Sequence, residues 1–360
     1  MIELLREALA RRFDIDAANL PRIAIVGAAS EGRRLTSIVG GTHIAAIVDD
    51  DPSRVGTYVF GERVEPFAAL TALPHNTPIV IASHRVLDAS RRARALGFTR
   101  VFPFALLQVL FPDIYTPHMF YEGILEDLLD NAHEYKWLSE SLADSRSLDV
   151  LAMLRLFRLT WDARALEPII EDSLYYPQGL FKLALNEVYV DAGAFDGDSI
   201  RAFIKRVDDR YERIIAFEPD PMTHVRLCEA FTDERIKLYN AALYSQCGEV
   251  SFCSEGTRGA RIGADGRADV LAVALDGVLN GARVSFIKMN IEGAERFALE
   301  GARDTIKRWR PKLAISVYHR PSDLWQIARD IREIDPNYDL YLRQHDGGII
   351  ETVLYALPRA

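Results

Sequence analysis

The sequence is poor in the features that mark several whole classes of protein. Among 360 residues there are three cysteines, Cys228, Cys247 and Cys253. They form no C-x-x-C pair and have no metal-ligand spacing, so the plain reading is reduced thiols in a cytoplasmic protein. No apolar run approaches the roughly 18 residues of a membrane span. The amino terminus, Met1 to Arg6, lacks the long apolar centre of a signal peptide and reads as a short amphipathic helix. There is no excess of positive charge: the net charge is -9 and the isoelectric point about 5.5. That argues against a sequence-independent nucleic-acid binder, which needs a basic face. There is no internal repeat and no low-complexity tract. What remains is an ordinary globular composition, 49% hydrophobic and 26% charged, at a length that suggests two domains.

The first third alternates strand and helix patterns. Residues 1 to 14 read as a helix with Ile2, Leu5, Ala8 and Leu9 on one face. Strand-like runs follow at Ile23–Val26, Ile44–Val48, Pro78–Ser83 and Val101–Phe102, with helix-like segments through Ile38 and Leu96 and Gly97 as a C-cap. Such alternation implies a parallel sheet with right-handed crossovers. Residues 1–105 therefore read as a small Rossmann-like domain. Its first loop is Gly-x-Ala-x-x-Gly, from Gly27 to Gly32, with Arg33 and Arg34 just beyond. Arginines at a helix start suit a phosphate. Gly27, Gly32, Arg33 and Asp49 are the candidate nucleotide contacts. The run from Ile47 to Gly61 resembles the small domain that precedes sugar O-acyltransferases, which holds the nucleotide of a sugar nucleotide. A fold kept for packing or dimerisation, with no ligand, is the alternative. Residues 106–180 read as two to four helices joining the domains. Tyr175-Tyr176-Pro177 marks a break, its aromatics being core or the lining of a substrate cleft.

The stretch from Glu187 to Ile200 opens residues 181–360. A short apolar run leads into a loop carrying Gly193 and Gly197, then into a helical pattern from Ser199. Asp191, Asp196 and Asp198 place three carboxylates within eight residues. A loop for a pyrophosphate avoids that charge. One for a ligand with positive charge, such as the sulfonium and ammonium of S-adenosylmethionine, favours it. Further strands read at Arg213–Phe217, Ile236–Asn240, Val284–Met289, Lys312–Tyr318, Tyr338–Leu342 and Thr352–Ala356. A hairpin insertion falls around Val250–Phe252 and the Gly-rich stretch Gly256 to Gly266. Glu218 lies 21 residues after Gly197, the spacing of an acid on ribose hydroxyls. Two closing strands around Asp346-Gly347-Gly348 do not complete a second dinucleotide-binding half, and no Tyr-x-x-x-Lys pairing is seen. A nicotinamide oxidoreductase using the first domain is thus the less favoured reading.

Five segments together resemble the FkbM family of S-adenosylmethionine-dependent methyltransferases: Tyr189–Ser199, Ala216–Pro221, Phe286–Glu295, Pro311–His319 and Glu351–Ala356. The resemblance implies a seven-stranded class I methyltransferase sheet ending in a β-hairpin, so the chain as a whole reads as α/β with two Rossmann-like domains. It implies a donor site where Gly193 and Ala194 admit the methionine part, Asp191 touches the amino-acid end or braces the loop, and Glu218 accepts from the ribose hydroxyls. Asn240 and Ala241 meet the adenine edge. Asp196 and Asp198 read as loop and helix caps. Glu292 and His319 are the candidate bases, with His319 the better proton acceptor near neutral pH. Asn290 stands where relatives commonly carry aspartate, so no metal is expected. The acceptor implied is a small molecule, a sugar or sugar nucleotide, and a homo-oligomer is compatible with the sequence. A sugar-nucleotide-binding or scaffolding protein with a weakened catalytic site is the alternative.

Overall fold

The computed structural model describes residues 1–16, 21–83, 85–253, 261–262 and 268–359. Two sheets organise the chain. The first has six strands in the order Tyr58–Val59, Glu62–Pro66, Ile44–Asp49, Ile23–Val26, Ile79–Ile81 and Val101–Pro103. All neighbours are parallel except the first pair. The central strand Ile23–Val26 is buried along its whole length, as expected of a β-branched run covered on both faces. The short antiparallel pair at Tyr58–Pro66 is an addition to the strands read from sequence.

The second sheet has seven strands in the order Tyr338–Gln344, Thr352–Pro358, Lys312–Ser316, Phe286–Met289, Val188–Ala192, Arg213–Phe217 and Ile236–Tyr239. Thr352–Pro358 runs antiparallel to both neighbours and the other pairings are parallel. Strand order reverses between Val188–Ala192 and Phe286–Met289, which is where an open α/β sheet leaves a crevice for a ligand. Beneath it Tyr189 stacks on Phe203 and Phe286 at centroid separations of 4.5 and 5.2 Å. Each such buried ring contributes about 1.5–3 kcal/mol through burial alone. A small sheet of Ala242–Leu243, Ala268–Val273, Gly248–Cys253 and Arg261–Ile262 sits beside it. The Gly-rich stretch read at Gly256 to Gly266 lies outside the described residues apart from Arg261 and Ile262.

Helices join the sheets. Phe104–Leu110 begins directly after the first sheet's last strand and is buried throughout. Ile124–Asp130, Ala132–Ser141 and Ser145–Thr160 follow, and a 3-10 segment covers Ala163–Ile169. Asp144 caps the longest helix by accepting the Ser147 N–H at 2.8 Å. The same Asp144 pairs with Arg343 of the closing hairpin at 2.6 Å, and Ser147 Oγ accepts the Leu342 N–H at 2.9 Å. The hairpin turn in its form reaches the first sheet's side, where the Leu87 N–H donates to Gly347 O at 2.8 Å. One apolar core runs through both sheets and the helices between them. No helix among the described residues is long and apolar enough to cross a membrane.

Candidate active site

A cavity of about 1180 Å³ lies between the two sheets. Its walls come from residues that follow the carboxyl ends of parallel strands in both. Gly27 and Asp49 line it from one side, Gly193 and Glu218 from the other. An ordinary ligand pocket measures roughly 300–1,000 Å³, so this one lies just above the upper end of that range.

The wall on the second sheet is built on a tight approach. Gly193 has φ +80°, and a Cβ there would overlap the Asn290 carbonyl oxygen. Only glycine lets the loop lie against the end of the Phe286–Met289 strand. The Gly193 and Ala194 N–H groups both donate to Phe217 O, at 3.1 and 3.0 Å. Glu218 accepts from the Phe195 N–H and the Asp220 N–H, at 2.9 Å each, so its carboxylate is fixed at the cavity edge. Burial pushes the Glu218 carboxyl upward, against the pull of those two N–H groups.

Below the loop, Asp191 is fully buried and does not line the cavity. It accepts from Lys288 Nζ at 2.9 Å and from Ser199 Oγ at 2.5 Å. The two charged residues are direct cross-strand partners. Lys288 Nζ also donates to Gly193 O at 2.8 Å and Ala192 O at 3.2 Å, and sits 5.3 Å from the Tyr175 ring. Asp191 braces the loop through Lys288, and its charge is spent there. Of the other two loop aspartates, Asp196 accepts the Asp198 N–H at 3.0 Å as a cap, while Asp198 lines the cavity.

Two further expectations need correction. The Asn240 side chain donates to Glu218 O at 2.9 Å and Pro219 O at 3.0 Å and does not line the cavity, whereas Ala241 does. Ala194 is buried behind Gly193, and Phe195 takes its place on the wall. Tyr175 lines the cavity, and Tyr176 packs in the core.

The wall on the first sheet repeats the design. The Gly27 N–H donates to Val48 O at 2.8 Å, and Asp49 accepts the Ala28 N–H at 2.7 Å and the Asp51 N–H at 2.9 Å. Gly27 has φ +105°, and a Cβ there would crowd Ala82 O. Gly32 packs against Gly27 behind the wall and Arg33 points to solvent, so neither faces the cavity; Arg34 does. The rim carries Arg54, Arg85 and Arg92 among acidic neighbours. Arg92 pairs with Asp50, whose carboxyl it holds below the usual range.

At the far end, Asn290 and Glu292 line the cavity. Tyr318 OH donates to Asn290 Oδ1 at 3.2 Å. Glu292 adopts φ +54°, unusual for a side-chain-bearing residue and a mark of a position held by its surroundings. His319 is fully buried and absent from the wall. Its Nδ1 lies 3.0 Å from Glu295 Oε1 and its Nε2 3.6 Å from Glu292 Oε2. Neither nitrogen makes an aligned hydrogen bond among the described residues, so these are charge contacts. Burial opposes a charge on the ring, but Glu295 and Glu292 outweigh it and push its pKa well above the ordinary value. The expectation that His319 takes a proton from an acceptor is thus corrected: its ring is buried behind the wall and does not line the cavity. Glu292 is the member of the pair in position.

Sequence reasoning missed Lys288, Arg85 and Arg92. Lys288 had a usable signal, a single charge inside an apolar strand, which demands a buried partner.

Residues 191–345 match the family model described as the methyltransferase FkbM domain. The chain is similar to the crystal structure of Methyltransferase FkbM from Methylobacillus flagellatus KT: 27% identity, TM-score 0.75, covering 98% of this chain and 92% of that one. A more distant likeness is to Aeropyrum pernix fibrillarin in complex with natively bound S-adenosyl-L-methionine, at 13% identity and TM-score 0.33, covering 50% of this chain and 71% of that one. No curated protein matches the chain.

Proposed function

Residues 191–345 of this chain are a methyltransferase FkbM domain, and from that premise we propose that the protein transfers a methyl group from S-adenosylmethionine to a hydroxyl of a sugar or sugar nucleotide. The observation that carries the reading is one cavity walled by two glycine loops, each with an acid fixed beside it. The donor lies on the Gly193 side. Gly193 and Phe195 give it a close backbone approach, Glu218 takes the ribose hydroxyls, and Ala241 borders the adenine. Asp191 and Lys288 hold that loop in shape without touching the donor.

The acceptor enters from the Gly27 side. Asp49 and Arg34 hold its nucleotide part, which sets a sugar hydroxyl against the donor methyl. In the reaction the hydroxyl oxygen forms a bond to the methyl carbon as the carbon–sulfur bond breaks. The electron pair of that bond stays on sulfur, and the hydroxyl proton passes to Glu292. The products are the methyl ether and S-adenosylhomocysteine. The protein's part is mainly alignment, with Glu292 assisting as the bond forms. Asn290 cannot take a proton; tied to Tyr318, it shapes the floor.

The test is incubation with S-adenosylmethionine and a panel of sugar nucleotides, read by mass spectrometry. The reading requires one acceptor to gain a single methyl group. Donor binding with no transfer to any of the panel favours the non-catalytic alternative, and absence of donor binding at millimolar concentration contradicts the assignment.

A further inference from the structure

Behind the cavity wall, Glu295, His319 and Asp323 bring three ligand atoms within 4.8 Å of one another, all of them buried. They come from three separate places: the start of the helix Glu295–Glu300, the residue His319 beyond the strand Lys312–Ser316, and the start of the helix Asp323–Ile334. We propose that they bind one divalent transition-metal ion of the Zn²⁺ class.

The geometry of the donors points to this. The 3.0 Å between His319 Nδ1 and Glu295 Oε1 is the spacing of two ligands on one ion; bonds of about 2.1 Å place neighbouring ligands about 3.0–3.4 Å apart. Among the described residues Glu295 Oε2 is buried with no hydrogen-bond partner, and neither ring nitrogen has an aligned one. Buried polar atoms left in this state are costly, and an ion would supply the missing partner.

The outer partners are those of a metal site. Metal-bound histidine usually gives its other N–H to a carboxylate, and metal-bound carboxylates are themselves hydrogen-bonded. Here His319 Nε2 faces Glu292 Oε2 at 3.6 Å. Glu295 Oε1 accepts the Ile291 N–H at 2.8 Å, and Asp323 Oδ2 accepts the Arg320 N–H at 2.8 Å.

An imidazole with two carboxylates suits Zn²⁺ or a similar ion better than Mg²⁺ or Ca²⁺, which prefer all-oxygen sets. On binding, the ion takes the Nδ1 position and the proton there leaves to solvent. Two carboxylates then balance the two positive charges around a neutral ring. None of the three ligands lines the cavity, so the ion does not meet an acceptor. It fixes the His319 ring, whose Nε2 side faces Glu292. The proposal does not depend on the identity of the acceptor or donor.

The test is elemental mass spectrometry of the purified full chain, before and after refolding with Zn²⁺, alongside Glu295→Gln and Asp323→Asn. Both substitutions keep side-chain shape, and circular dichroism checks their folding. The expected result is about one ion per chain, with affinity lowered at least about tenfold in either variant. Chelation should lower the Tm of the parent chain and leave both variants unchanged. The exposed pair His224 and Cys228, whose Sγ lies 3.7 Å from Nε2, is the competing place for a zinc ion. Uptake lost in Cys228→Ser but kept in Glu295→Gln overturns the proposal, as does a chain that takes up no Zn²⁺ even on refolding.

Discussion

The two glycine loops share a backbone design and differ in what lies under them. In each, the acid ending the second strand accepts an N–H from the loop after the first: Asp49 from Ala28, Glu218 from Phe195. Under Gly193 lies the buried pair Asp191–Lys288, with Lys288 also holding the Gly193 carbonyl. Under Gly27 the strand is apolar throughout, and the charges sit at the rim as Arg34, Arg54, Arg85 and Arg92. The same loop design thus carries its charge in two different places. An internal pair shapes the Gly193 loop without presenting its charge, whereas the rim arginines sit at the cavity edge beside acids of their own, Arg34 with Glu31, Arg54 with Asp49 and Arg92 with Asp50.

The largest expected effect tests the internal pair. Lys288→Ala leaves Asp191 charged and unpaired in the core, and should cost about 3–5 kcal/mol in chemical denaturation. Asp191→Asn combined with Lys288→Met should recover most of that loss; if it does not, the pair is not what braces the loop.

Next come the glycines. Gly193→Val should weaken S-adenosylmethionine binding by about a hundredfold or more, roughly 2.7 kcal/mol, because the side chain meets the Asn290 carbonyl. Gly27→Val should leave donor affinity within about twofold and abolish retention of the sugar nucleotide, as read by calorimetry with each ligand. Loss of both ligands in either variant would mean that the cavity does not divide as described.

Smaller changes should separate along the same line. Glu218→Ala should cost about tenfold, near 1.4 kcal/mol, in donor affinity alone, and Asp49→Ala about the same in nucleotide affinity alone.

The smallest effect concerns the turn that ties the hairpin to the first sheet's side. Burial raises the Asp346 carboxyl to about 6. The folded state therefore holds this proton more tightly than the unfolded chain. The stability it contributes is full below the unfolded value near 4 and is lost as pH rises through about 6. Asp346→Asn should flatten that part of the Tm profile; an unchanged profile would remove Asp346 from the account.

The sheets were legible because their strands are apolar runs ended by Gly, Asp or Pro, and the Gly27 and Gly193 turns because glycine marks backbone that other residues avoid. The shared cavity was not legible. Residues 27 and 193 meet across it through packing of the intervening helices, which local periodicity does not encode. Side-chain direction was the other gap. Arg33 and Arg34 differ by one step of about 100° around a helix, and only the second faces inward. Tyr318 and His319 are neighbours, yet the first lines the cavity and the second is buried behind it. The motif located His319 without showing which way it points. The three aspartates of the opening loop suggested a positively charged ligand, but Asp191 had already found its cation in Lys288.

The most direct test of the account is calorimetric titration of S-adenosylmethionine into the full chain, the Gly193→Val variant and the Gly27→Val variant. Saturable binding at one site is expected in the parent chain, lost with Gly193→Val and kept with Gly27→Val. No binding at millimolar donor in the parent chain, or loss through Gly27→Val with retention in Gly193→Val, would contradict it.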